Sequence, residues 1–274
     1  MALALVFVVR WFRAARAAGW PSQPGPLHVA IGFVTNFFDT LGIGSFAPTT
    51  SAYKLLRLVR DEHIPGTLNV GHTPATVTQA LIFIVAVTVE PTTLIPMIAA
   101  SVIGAWFGAG RVARLPPRAI QIGMGFALLV AASLFAAYNL NLMPGGGEAV
   151  GLQGGKLYFA VAVNFVLGAL MTLGIGLYAP CLILVSLLGM SPLTAFPIMM
   201  GSCAFLMPTA GMRFIAMGRF DPRAALGLAL GGIPAVLIAA FVVRSLPLEW
   251  LRWLVVAVVL VAAISMLRSA VRKN

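Results

Sequence analysis

Several stretches of this sequence run for about 20 residues without an Asp, Glu, Lys or Arg, among them Val70 to Val89, Thr92 to Gly110, Ala119 to Asn139, Ala224 to Val243 and the shorter Trp253 to Met266. Such stretches match a hydrocarbon layer of about 30 Å when coiled as helices. Only 9% of the residues are charged, against roughly a quarter in a soluble domain. The alternating pattern of a transmembrane barrel is absent, so the spans are expected to be helices. The formal charge of +11 sits at the ends of apolar spans, where basic residues set orientation. No nucleic-acid partner is therefore expected.

An internal repeat organises the chain. Phe33 to Pro48 against Phe165 to Pro180 gives identity at nine of 16 positions, including "TLGIG" and the closing Ala-Pro. The segment from Pro91 resembles the segment from Pro222 at nearly the same offset, with Leu115-Pro116 meeting Leu246-Pro247. Each copy reads as a broken pair of short segments followed by three longer ones. In the first copy these are about 27 to 41, 46 to 60, 68 to 89, 92 to 112 and 118 to 139. In the second they are about 159 to 173, 178 to 190, 194 to 214, 222 to 243 and 249 to 267. The expected fold is an all-α polytopic membrane protein of about ten helical segments. Its regions are an N-terminal interfacial segment (1–26), repeat 1 (27–139), an external Gly-rich linker (140–157) and repeat 2 (158–274).

The charges predict how the copies are related. With the Arg10, Arg13 and Arg16 cluster inside, and each broken pair starting and finishing on one side, Lys54, Arg57, Arg60, Arg111, Arg114, Arg118, Arg213, Arg219, Arg223, Arg268, Arg272 and Lys273 all fall inside. Only Lys156, Arg244 and Arg252 fall outside, beside Glu90, Glu148 and Glu249. This is the positive-inside bias. Each copy then crosses an odd net number of times, whether its broken pair is a re-entrant hairpin or two thin spanning helices, so the second is inverted, as in secondary transporters. The apolar run of "MALALVFVVRWFRAARAAGW" is too short to span and has no basic residues before it, which argues against a cleaved signal peptide. An interfacial helix on the cytoplasmic surface is expected there.

The repeated break points to a binding site. Within a bilayer, broken helix is tolerated only where protein or a water-filled cavity surrounds it. Gly42 and Gly44 let the backbone leave helical geometry, and Pro48 suits the first turn of a new helix. Ser45, Thr49 and Thr50 then surround a fresh helix N-terminus, whose unpaired amides and positive dipole end favour an anion. Gly174, Gly176, Thr172, Tyr178 and Cys181 do the same in the second copy. Aligning Gly71 with Gly201 pairs His72 with Ser202 and Thr73 with Cys203, and these are expected to face the same cavity. Thr40 and Asn36 precede the first break on its helix. For Asn36, Asn69, Asn164 and Gln79 holding helices together is the commoner role of buried amides.

Asp39, whose counterpart is Met171, is an intramembrane carboxylate and so a functional candidate. It is either the proton-coupling residue, neutral while the anion is bound, or a cap on neighbouring amides or a partner of Lys54 or an arginine. Cys181 and Cys203 read as small buried hydrophobes rather than a disulfide or metal site. The "GGGEAVG" of the linker follows no strand and lacks the lysine of a phosphate-binding loop.

The combination "DTLGIGSFAPTT", "IPGTLNVGHTPATVTQA" and "TLGIGLYAPC" resembles the sulfite exporter TauE/SafE family of membrane permeases, also called TSUP, over about residues 27 to 270. The usual run of about three glycines is thinned here to "GIGSFAP" and "GIGLYAP". The resemblance implies efflux of sulfite-like or other sulfur-containing or small organic anions, coupled to protons or to the membrane potential. It also implies a substrate site between the repeats and a multi-pass protein of the bacterial inner membrane with both termini cytoplasmic.

The function expected is a secondary transporter exporting a small anion, sulfite or an organosulfonate, by alternating access. The alternatives are an anion channel or an uptake permease for small carboxylates or other sulfur compounds. The implied partners are the anion, the bilayer and protons as a coupling ion, and the oligomeric state is left open. The scattered His28, His63 and His72, with Asp39 the only acidic residue placed deep inside, argue against an enzyme. No cofactor or metal is implied.

Overall fold

The structure, a computed structural model, describes residues 2–17, 23–142, 146–174, 176–242 and 248–271. Among these residues the secondary structure is helical, without strands. In chain order the helices are α1 (Ala2–Ala17), α2 (Pro26–Thr40), α3 (Phe46–Leu55), α4 (Ile64–Gly71), α5 (Thr73–Ala86), α6 (Pro91–Val112), α7 (Pro117–Asn139), α8 (Gly154–Met171), α9 (Tyr178–Leu187), α10 (Ala195–Ala216), α11 (Pro222–Val242) and α12 (Leu248–Val271). Among the described residues five stretches are long and apolar enough to cross a membrane: Pro91–Val112, Pro117–Leu134, Gly154–Met171, Pro192–Ala216 and Pro222–Ala240. The chain is an all-α polytopic membrane protein.

The helices of the two halves pack reciprocally. The first helix of each half lies against the fourth of the other, α2 on α11 and α8 on α6. The third segments meet each other through α5 and α10, and the fifth through α7 and α12. Glycine makes both first-to-fourth contacts possible. A Cβ on Gly104 would collide with the Phe165 carbonyl, and one on Gly168 with the Ser101 carbonyl. Likewise a Cβ on Gly231 would strike the Val29 carbonyl, and one on Gly32 would lie 2.7 Å from the Leu228 Cα. With little hydrophobic drive between helices in lipid, such backbone approach supplies dispersion contact that larger residues forbid.

Three expectations need correcting. The third segment of the first half is not one helix: it divides at His72 into α4 and α5. Pro74 lacks the N–H that would continue the ladder, whereas its counterpart Ala204 leaves α10 unbroken at that point. The linker is not a free tether over its described part. Gly147 N donates to Met190 O at 3.0 Å, Ser191 N to Ala149 O at 2.9 Å and Glu90 N to Val150 O at 3.0 Å, and Leu152 is buried. Residues 143–145 of that segment, Ile175, and the expected orientation markers Arg244, Arg272 and Lys273 lie outside the described residues. Finally, α1 does more than rest on a surface. Phe7 is wholly buried in a cluster with Val70 and Ala225, while Arg10, Arg13 and Arg16 stay exposed.

Candidate functional site

Both repeated breaks are present, and each begins as a glycine-terminated helix. After α2, Gly42 adopts φ 85°, Gly42 N bonds to Asp39 O, and Ile43 N reaches back to Phe38 O at 3.2 Å. This pair of bonds is a Schellman ending, which needs a residue in the left-handed region. Gly174 takes φ 104° after α8, and its amide bonds to Met171 O at 3.0 Å. Gly42 and Gly174 are therefore required where the chain turns. The second helices then restart at Phe46 and Tyr178, with Pro48 and Pro180 in their first turns.

The two restarts converge. Gly44, Ser45 and Phe46 from the first break, and Gly176, Leu177 and Tyr178 from the second, line one cavity with Asp39, Thr76, Met171, Cys203 and Met207. Its volume is about 10 Å³, roughly room for one water. No lysine or arginine lines it.

Asp39 is the chemical centre of this place. It sits in the last turn of α2 and is 3% exposed. Gln79 Nε2, from α5, donates to Asp39 Oδ2 at 2.8 Å and to Thr40 Oγ1 at 3.0 Å. Tyr178 Oη, from α9, lies 3.3 Å from Asp39 Oδ2 and 2.9 Å from Gln79 Oε1. Ser45, at the start of α3, lines the same cavity as this carboxylate. One carboxylate thus draws donors from α5 and from the start of α9. The tyrosine has a single hydrogen. An ionised Asp39 attracts it, whereas a protonated Asp39 can donate to Tyr178 Oη while the tyrosine donates to Gln79 Oε1. Both protonation states leave a connected set of hydrogen bonds.

The remaining expected residues fall into separate groups. His72 Nδ1 is 3.1 Å from Asn36 Oδ1, and His72 Nε2 is 3.1 Å from Thr49 Oγ1. Because Asn36 Nδ2 donates to Gly32 O at 2.7 Å, its oxygen faces the histidine. His72 Nδ1 is then the donor, and Nε2 accepts from Thr49. Neither His72 nor Ser202 is among the residues lining the cavity between the breaks. Ser202 instead accepts from Asn164 Nδ2 at 3.1 Å, the same nitrogen donating to Met97 O at 2.7 Å, which ties α8 to α6 and α10. Thr73 and Thr172 bond to carbonyls of their own chain segments, Asn69 O and Ala169 O. Thr50 is buried with no partner for its hydroxyl. Cys181 is buried outside the cavity lining, and Cys203, which does line it, lies 3.5 Å from Met171 Sδ. Lys54 does not reach Asp39: it pairs with Asp61 at 2.5 Å and donates to Ser269 at 2.9 Å.

Gln79 and Thr76 were not read from the sequence as part of the site. The only signal was an amide three residues beyond a threonine on one apolar segment, which equally suits helix packing.

The family model described as Sulfite exporter TauE/SafE matches residues 1–135. The match bears out the resemblance over the part that carries Asp39, His72 and the first break. The second half, including "TLGIGLYAPC", is joined to it here by the internal repeat. No curated protein and no solved structure matches the chain.

Proposed function

We propose that this chain, whose first half matches the sulfite exporter TauE/SafE family, is a secondary transporter that exports a small anion, sulfite or an organosulfonate, from the cytoplasm. The observation that carries this reading is the meeting of the two breaks around one small cavity furnished with neutral donors. Two helix starts bring partial positive charge to that point. Serine, tyrosine and glutamine supply hydrogen bonds without fixing a cation that would hold the cargo too firmly.

Alternating access is the mechanism we propose, with the second half inverted relative to the first. The reciprocal packing of α2 on α11 and α8 on α6 suits two halves related by a pseudo-twofold axis. The glycine faces of those two contacts let the halves slide at close range.

Asp39 is the proton-coupling group in this reading. An ionised carboxylate beside a bound anion in a low dielectric is strongly unfavourable. Anion entry therefore favours protonation, and the Tyr178 hydroxyl rotates between Asp39 and Gln79 as the proton arrives and leaves. Substrate-binding roles follow for Ser45, Gly44, Gly176 and Tyr178 at the cavity. His72, Thr49 and Asn36 hold α2, α3 and the α4–α5 junction together.

Proteoliposome flux tests the proposal. Sulfite, sulfate, sulfoacetate and small carboxylates are offered with and without a pH gradient. Saturable sulfite or sulfonate flux that responds to the gradient and shows counter-transport is expected. Linear, non-saturating flux would mean a channel, and no flux of any of these anions would overturn the reading.

A further inference from the structure

We propose that the Asp39 carboxylate is a tethered stand-in for the cargo: it occupies the donor set of the anion site in this structure, and the site takes oxyanions that can replace it. This rests on the transport reading above. It adds the class of ligand, namely anions presenting at least two oxygens on one central atom, as carboxylates, sulfite and sulfonates do.

Three observations carry it. The groups that suit an incoming anion are already engaged by Asp39, Gln79 Nε2 at 2.8 Å and Tyr178 Oη at 3.3 Å, with Ser45 at the start of α3 lining the same cavity. They come from both halves of the chain, so the carboxylate bridges the two breaks as a bound anion would. Next, the cavity beside it holds about 10 Å³, too little for an oxyanion while Asp39 remains in place. Lastly, no basic side chain lines the cavity, so nothing there offsets two negative charges at once, and like charges in such surroundings exclude each other.

The second half has no equivalent group. Met171 stands at the position of Asp39 and makes a sulfur contact with Cys203. There is accordingly one stand-in for one site. Replacement by cargo requires the Asp39 side chain to withdraw from the donors, and the glycine turn directly after α2 gives the end of that helix a place to yield.

The test uses the purified full chain. In Asp39→Ala the donors lose their internal anion. Formate and sulfite should raise the thermal unfolding midpoint of this variant saturably, while chloride at equal ionic strength does not. Formate should leave the parent unmoved. Asp39→Asn should bind sulfite about ten-fold more tightly than the parent, because the competing charge is gone. Equal responses of parent and Asp39→Ala to formate, or no response of either, would overturn the proposal. If Asp39→Ala does not fold, Asp39→Asn decides, and unchanged or weaker sulfite binding is the contrary result. Flux of the parent protein separates the two readings. Rescue of Asp39→Ala by formate with no anion transport by the parent would sink the transporter and keep the stand-in. Sulfite transport without rescue or tighter binding would do the reverse.

Discussion

The first and second breaks share a backbone and differ in chemistry. Both end a helix on a left-handed glycine, Gly42 or Gly174, and both restart it two residues ahead of a proline. Around the first stand Asp39, Ser45, Thr49 and His72, with Asp39 bonded to Gln79 and His72 to Asn36 and Thr49. Around the second the matching positions hold Met171, Leu177, Cys181 and Ser202. Of these only Ser202 engages a polar side chain, and it does so away from the cavity. The two copies therefore share the geometry of two facing helix starts, while the buried carboxylate stands in one of them. Tyr178 is the second copy's contribution to the polar centre.

The contrast between the two breaks can be tested at several positions. Asp39→Asn should abolish the response of flux to a pH gradient, whereas Met171→Leu should leave that response intact. PH-dependent flux identical to the parent in Asp39→Asn removes the coupling role. Next come the two glycine contacts, which the symmetry makes equivalent. Gly168→Leu forces a side chain into the Ser101 carbonyl and Gly32→Leu into the α11 backbone. Each should cost about 3 kcal/mol or fail to fold, read as thermal unfolding in detergent. A large loss in one and none in the other would show that only one contact is tight.

Tyr178→Phe removes the polar link from the second break to Asp39 and leaves Gln79 Oε1 buried without its donor. A loss of about 1–3 kcal/mol is expected, and unaltered stability would place the hydroxyl elsewhere. The smallest effect lies at the ends of α3 and α9. Arg57 adopts φ 53° where its counterpart Gly189 adopts φ 90°, with the same pair of backward bonds closing each helix. Arg57→Gly should stabilise by about 0.5–1 kcal/mol and Gly189→Arg should destabilise by a similar amount. Opposite signs would deny that these two turns correspond.

The breaks were legible in the sequence because glycine and proline act through the backbone, and their consequences are local. The helix ends at Thr40 and Met171 follow from Gly42 and Gly174 with little help from tertiary structure. The division at His72 was missed because the repeat alignment favoured a single helix, as in α10, while Pro74 has no match in the second half. Gln79 was readable as an intramembrane amide but not as the partner of Asp39. That pairing depends on how α5 is rotated against α2, which packing decides. The docking of α1 was hidden for the same reason. Phe7 is one apolar residue among several at its position in the sequence, and only the recess near Gly211, where a Cβ would lie 2.8 Å from its ring, selects it.

The central claim is that an anion sits between the two restarts, and the two cysteines report on it directly. Cys203 lines the cavity, and Cys181, equally buried in α9, does not. Alkylation by a membrane-permeant thiol reagent should be slowed by sulfite at Cys203 in a Cys181→Ala background and left unchanged at Cys181 in a Cys203→Ala background. Saturating sulfite that fails to protect Cys203, in protein that transports sulfite, would contradict the placement of the site.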